Sequence, residues 1–291
     1  MILYFAGMES IMRSYDYEPH PTDHVFGTYF YKSNTQQMID RLKPGGHLGT
    51  ITIDSGAHSF FGQAGISSSA HHNKSGKKKS LPKPEDYFDG YVSWLKDNYE
   101  KIDYFVELDI QAIVGMEKVK EWRKRLAREG LFDKCIMVFH SIDSMDDFDE
   151  MISMTQSHYI GLEGLRNKKV TLPYFKLLSR CYDAKVKVHG FALTNTDILS
   201  EYPFYSADST TWTASIRYGT FFGLDSMGMV RQKNPSKNNY FKYNVDIDST
   251  KYNRTKDASI RKLVQAAAEF RKFETSLTSL WESRGVRWHG N

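Results

Sequence analysis

The chain has 291 residues, 40% hydrophobic and 25% charged, with a formal net charge of +4. That composition fits one large soluble domain; the charge is compatible with a polyanionic partner without requiring one. Two cysteines, Cys135 and Cys181, exclude a disulfide framework and a multi-cysteine zinc site. No apolar run approaches the roughly 20 residues a membrane span needs. Met1–Ala6 is apolar but short, and Glu9 and Arg13 follow soon after, so a cytoplasmic protein without a secretory signal is expected.

In chain order, β-rich runs occur at Ile2–Ala6, Val25–Tyr31, Gly49–Asp54, Asp103–Asp109, Cys135–His140, Tyr159–Leu162, Val186–Phe191 and Phe204–Asp208. Amphipathic stretches lie between them, among them Tyr87–Tyr99, Met116–Arg128, Met145–Thr155 and Leu172–Tyr182. Alternation of this kind predicts a parallel sheet, because parallel strands need crossover connections. Eight strands predict closure into a (β/α)8 TIM-type barrel over residues 1–220. The rival, a doubly wound open sheet, usually begins with a glycine-rich phosphate turn. Here the first strand runs instead into Gly7-Met8-Glu9-Ser10.

Two regions break the rhythm. Residues 67–84 are poor in hydrophobes and rich in Ser, Lys and His, which predicts a flexible basic insertion after the third strand. Residues 221–291 form a C-terminal extension, irregular over Asn234–Tyr252. It continues into a helix from about Lys256 to Glu282, with Ile260, Leu263, Ala267, Phe270 and Phe273 at helical spacing. That helix is expected to pack on the barrel flank.

The strand ends carry the chemistry. Asp54-Ser55-Gly56, Glu107-Leu108-Asp109, His140, Gly161-Leu162-Glu163-Gly164, His189-Gly190 and Asp208-Ser209 close six consecutive strands. In a parallel barrel these ends open on one face, where active sites are built. Single acids there are commonly helix caps, but histidine is a poor cap, and Glu107 and Asp109 are expected to share one strand face. Crowded acids repel, which raises the pKa of at least one of them, so one can remain a proton donor beside an anion. Such split roles suit cleavage at an anomeric carbon. A second use of the set is a divalent ion held by His140 and His189 with Asp54 or Asp208. Gly56, Gly161 and Gly164 would let backbone approach a planar ligand, or merely serve turns.

The motifs Asp54-Ser55-Gly56-Ala57, Gly161-Leu162-Glu163-Gly164 and Tyr205–Trp212 occur in order. With Val186–Thr194 and Tyr202-Pro203-Phe204-Tyr205, they make residues 1–220 resemble the tRNA-guanine transglycosylase superfamily. Within it the chain looks most like the compact, phage-type DpdA-like branch, which places 7-deazaguanines in DNA. The resemblance implies Asp208 as the nucleophile that attacks C1′ and forms a covalent glycosyl-aspartate. Asp54 would position the base and transfer protons, Asp109 would read the guanine edge, and Gly161 and Leu162 would meet the base. The remaining substrate-binding candidates are Ser55, Gly56, Glu163, His140 and His189; Glu163 enters a segment that is smaller and more apolar in the tRNA enzymes. Those enzymes hold a structural zinc with three cysteines and a histidine, which this chain cannot reproduce. No cofactor or metal is therefore expected, and DNA rather than tRNA is the expected partner, together with a 7-deazaguanine base.

Lys74, Lys77, Lys78, Lys79 and Lys83 in the insertion, and Arg231 and Lys233 in the extension, are candidate phosphate contacts. Lys237 and Lys242, interleaved with Tyr240, Phe241 and Tyr243, continue the second set. A base within a duplex would have to be flipped, with Phe60, Phe61 or Trp212 as stacking surfaces. The alternative functions on the same barrel are an N-glycoside hydrolase, a metal-dependent hydrolase, or an inactive nucleic-acid-binding protein. Oligomeric state is not legible in the sequence.

Overall fold

In the computed structural model, residues 1–58, 82–164, 170–218, 221–224, 230–233 and 256–288 are described. Eight parallel strands form a closed barrel in sequential order. They are β1 (Ile2–Ala6), β2 (His24–Thr28), β3 (Ile51–Asp54), β4 (Tyr104–Val106), β5 (Cys135–Phe139), β6 (Tyr159–Leu162), β7 (Lys187–Gly190) and β8 (Ser206–Ser209). β8 closes on β1 with Tyr4 opposite Asp208. The helices are α1 (Met8–Tyr15), α2 (Lys32–Leu42), α3 (Pro84–Asn98), α4 (Gln111–Val114), α5 (Met116–Arg128), α6 (Met145–Met154), α7 (Tyr174–Asp183), α8 (Thr196–Glu201), α9 (Ala214–Tyr218) and α10 (Lys256–Ser283). The eight runs of the sequence are the eight barrel strands.

Strand alternation divides the core in two. Leu3, Phe5, Val25, Ile51, Ile53, Phe105, Ile160 and Val188 face outward into the large cluster shared with the helices. Tyr4, Ala6, Phe26, Val106 and Val138 form a separate inner cluster. Both cysteines are free and buried. Local rules are visible in places: Ser144 and Asp147 make a reciprocal capping box at the start of α6.

Several boundaries differ from expectation. β2 stops at Thr28 because its hydroxyl accepts from Phe30 N at 3.3 Å, starting a 3-10 turn over Tyr29–Tyr31. β4 stops at Val106, so Glu107 and Asp109 do not share a strand face. Glu107 instead turns toward α5 and is buried against Arg123 through two 2.7 Å hydrogen bonds. A planar guanidinium matches a carboxylate bidentately, which is how a charge is retained inside the helical layer.

The long C-terminal helix α10 is an integral part of the barrel wall. Phe270 packs edge-on against Phe5 of β1 with centroids 5.1 Å apart. Glu274 accepts from Leu3 N at 2.7 Å, and Arg271 grips Asp23, just before β2, at 2.6 and 3.0 Å. The helix of the C-terminal extension thus packs on the barrel flank, as expected, and covers its first strand. An antiparallel hairpin, β9 (Phe221–Leu224) with β10 (Val230–Lys233), precedes it and was not foreseen. Among the described residues, no helix is long and apolar enough to cross a membrane.

Candidate active site

The register brings the strand ends to one mouth: Thr28 pairs with Asp54 across β2 and β3, and Gly161 with His189 across β6 and β7. Asp54 Oδ2 accepts from Thr28 Oγ1 at 3.2 Å and from Gly56 N at 3.0 Å. The second bond needs Gly56 at φ 86°, and a side chain there would press on Phe30 and the Tyr87 hydroxyl. Burial, with Asp109 and then Asp208 nearby, pushes the Asp54 carboxyl up to about 7, against the pull of its Gly56 and Thr28 hydrogen bonds. The crowding of acids inferred from the sequence is present, and Asp54 carries its consequence.

Asp208 is held differently. Its Oδ1 accepts from Ala192 N at 2.8 Å and faces His189 Nε2 at 3.2 Å. Ala192 lies at φ 50°, an uncommon conformation for a residue with a Cβ, costing about 1 kcal/mol. No hydrogen bond reaches Oδ2 of Asp208 from the described residues. The residue is buried, with 8% of its surface exposed.

On the far side, His140 bridges two acids. Nε2 is 2.9 Å from Asp109 Oδ2, and Nδ1 is 3.4 Å from Glu163 Oε2. Burial opposes its charge, but hydrogen bonds to Asp109 and then Glu163 prevail and raise its pKa to about 10. Burial likewise opposes ionisation of Glu163, yet His140, Ser141 and Thr171 hold its carboxyl down at about 2. Thr171 Oγ1 donates to Glu163 at 2.8 Å, so Glu163 is tied to its own loop and strand neighbours. Asp143 accepts from His140 N at 2.8 Å and anchors the turn.

Asp54, Asp109, Asp208, His140 and Glu163 thus gather at one mouth, but other candidates lie elsewhere. Ser55 is fully buried, its hydroxyl turned to Ala57 N, and cannot touch a substrate. His189 is also fully buried, between Phe26 and the strand beneath Asp208, so it acts behind that acid. Leu162 points into the helical layer, and its carbonyl accepts from Phe191 N at 3.1 Å. The planar group approaching Gly161 is the chain's own Phe191, whose ring a Cβ would meet at 2.1 Å. Gly164 likewise makes room for the Phe191 carbonyl. Trp212 is no stacking surface: it is buried against Phe5 and donates to Ala6 O at 3.0 Å.

Both ring nitrogens of His140 and of His189 have hydrogen-bond partners. Among the described residues, no group of three or more His, Cys, Asp or Glu side chains is arranged to hold a metal ion. Lys83 is exposed just before α3. Lys74, Lys77, Lys78, Lys79, Phe60, Phe61, Lys237, Tyr240, Phe241, Lys242 and Tyr243 lie outside the described residues, as do the side chains of Arg231 and Lys233 on β10.

Sequence reasoning missed Thr28, Ala192, Phe191 and Ser206. Ser206 was findable, since it stands two residues before Asp208 and shares its face. The role of Ala192 depends on a backbone torsion and leaves no residue-type signal. Compared with models of known protein families and with curated proteins, the chain matches none.

Proposed function

We propose that this barrel is a transglycosylase that exchanges guanine for a 7-deazaguanine base in DNA through a covalent glycosyl-aspartate. The observation that carries the proposal is the asymmetry of two carboxylates at one mouth. Asp208 is pinned through Oδ1 by two nitrogen partners, and Asp54 is driven to about 7, where it can both give and take a proton near neutrality.

In the first step Oδ2 of Asp208 forms a bond to C1′ as the C1′–N9 bond breaks. The electron pair leaves with guanine, and Asp54 supplies the proton that makes it neutral. In the second step Asp54 takes the N9 proton of the incoming base. That nitrogen then attacks C1′, and the ester electrons return to Asp208. Two inversions retain the anomeric configuration. Asp109, ordered by His140, presents an acceptor suited to the N–H groups of a guanine edge. The choice of guanine-type bases and of DNA follows the sequence resemblance, and exposed Lys83 is a candidate phosphate contact.

The test is incubation of the protein with DNA and isotope-labelled guanine or 7-deazaguanine, followed by nucleoside mass spectrometry. Label enters DNA with the wild type and does not with Asp208→Asn. Full exchange by Asp208→Asn removes the nucleophile assignment. Release of free base without incorporation makes the protein a hydrolase, and salt-dependent binding with unchanged nucleosides makes it a binding protein.

A further inference from the structure

Beneath Asp208 a line of polar groups runs down the inside of the barrel. His189 Nδ1 lies 2.6 Å from Ser206 Oγ. Ser206 Oγ also hydrogen-bonds the Tyr159 hydroxyl, Tyr159 meets the Tyr4 hydroxyl, and Thr50 Oγ1 lies 3.2 Å from the Tyr4 hydroxyl. His189, Ser206 and Tyr159 have no exposed surface. The imidazole is also locked in orientation. Phe26 stacks on it at 5.5 Å with an interplanar angle of 2°, and Tyr4 and Phe191 stand edge-on at 5.7 and 4.6 Å.

Each hydroxyl in this line has one proton and can donate or accept. At the lower end Thr50 N donates to His24 Nδ1 at 3.1 Å, so that nitrogen is an acceptor and takes the Thr50 hydroxyl proton; the tautomer of His189 is decided at its other ring nitrogen. Burial raises both phenols, so they stay protonated through neutral pH. The Nδ1–H tautomer would aim the Nε2 lone pair at a carboxylate oxygen 3.2 Å away, in a site where water cannot relieve the repulsion.

We infer that His189, held between Ser206 and Asp208, is in its Nε2–H tautomer, making His189 a positioning residue that donates to Asp208 Oδ1 and leaves Oδ2 to attack. The catalytic part of this inference rests on Asp208 being the nucleophile proposed above; the tautomer itself does not. Ala192 N, on the loop that follows β7, supplies the second donor to Oδ1. Together they leave the carboxylate one free oxygen, as an attacking group held near its reaction geometry requires.

Two measurements test this. In the first, ring-nitrogen NMR shifts of histidine-labelled wild type and Ser206→Ala are compared. A buried, Nε2-protonated His189 in the wild type and its loss or broadening in Ser206→Ala are expected. An Nδ1-protonated ring in the wild type overturns the inference, whatever reaction the protein performs. The second is single-turnover formation of the glycosyl-enzyme. Loss of the donor in His189→Leu is expected to slow it about a hundredfold with KM little changed. His189→Gln, whose amide nitrogen reaches the Nε2 position, is expected to recover to within about tenfold of wild type. Equal loss in Gln and Leu variants, or a wild-type rate in the Leu variant, overturns the positioning role. Should His189→Leu fail to fold, His189→Gln and Ser206→Ala decide by the same two readouts. Absence of any adduct in the wild type counts against the transglycosylase reading, while the spectra still decide the tautomer.

Discussion

Nε2 of His140 lies 2.9 Å from Oδ2 of Asp109, a charge-assisted contact at the edge of a mouth crowded with acids. With its pKa raised from 6.5 to about 10, the His140 cation favours the folded state. That contribution is complete below the unfolded pKa and is lost as pH rises through the folded one. Urea unfolding of the wild type should therefore lose on the order of 2–4 kcal/mol between about pH 6.5 and pH 10. His140→Gln should be nearly flat across that window, and an equal slope in the variant would show that His140 is not the titrating group.

Asp54 gives the same sign of pH dependence over a lower window, because its charged form is the one the fold disfavours. Its folded pKa of about 7 exceeds the ordinary 3.8, so the native state binds the extra proton and stability falls as pH climbs between those values. Asp54→Asn should match the wild type below about pH 4 and exceed it by on the order of 2 kcal/mol at pH 8. Base exchange should fall at least a hundredfold in the same variant, consistent with loss of acid–base assistance. Thermal denaturation at the two pH values and labelled-base exchange measure both effects.

Glu107 and Arg123 illustrate an acid at a strand end with a structural duty. Glu107→Ala should lower stability by about 3–5 kcal/mol, because it leaves a buried guanidinium unpaired. The pair Glu107→Leu with Arg123→Met should recover part of this. Val138 N, which donates to Glu107 Oε1 at 2.7 Å, would remain unsatisfied at a cost of about 1–3 kcal/mol. Chemical denaturation of the single and double variants separates the two terms.

The Phe5–Phe270 contact ties the last helix to the first strand. Phe270→Ala should destabilise the whole barrel by about 3–5 kcal/mol in a single cooperative transition. A separate early transition for α10, seen by hydrogen exchange, would instead make that helix an appendage.

Gly161→Ala places a methyl where the Phe191 ring now lies. Phe191 is half-buried at the mouth and can yield, so the variant should fold with a modest loss of about 1–3 kcal/mol. Its KM for the base should change more than its maximal rate. Steady-state kinetics check the split, and unchanged kinetics would place Phe191 outside the base path.

Much of this molecule was legible without coordinates because strand–helix alternation is a local signal repeated eight times. Asp54, Asp109, His140 and Asp208 were found for the same reason: parallel closure sends every strand end to one face. Where the inference erred, a residue type was right but its direction was not. Ser55, Glu107, Leu162 and Trp212 sit beside mouth residues in sequence yet face the packed layers. One step along a strand reverses a side chain, and strands of three to five residues leave little pattern from which to count.

The sequence by itself determined the class of fold, the shared mouth and the set of acids and histidines that reach it, since hydrophobic period and strand count decide these. Only the tertiary structure decided which acid is pinned and which is pushed toward neutrality. Asp54 and Asp208 are the same residue type at equivalent strand ends. They differ through an Ala192 amide, a buried His189 and the proximity of Asp109, brought together from separate strands by closure of the barrel. The placement of α10 against β1 was likewise a tertiary outcome, because the helix follows β8 by nearly fifty residues and only packing selects the strand it covers.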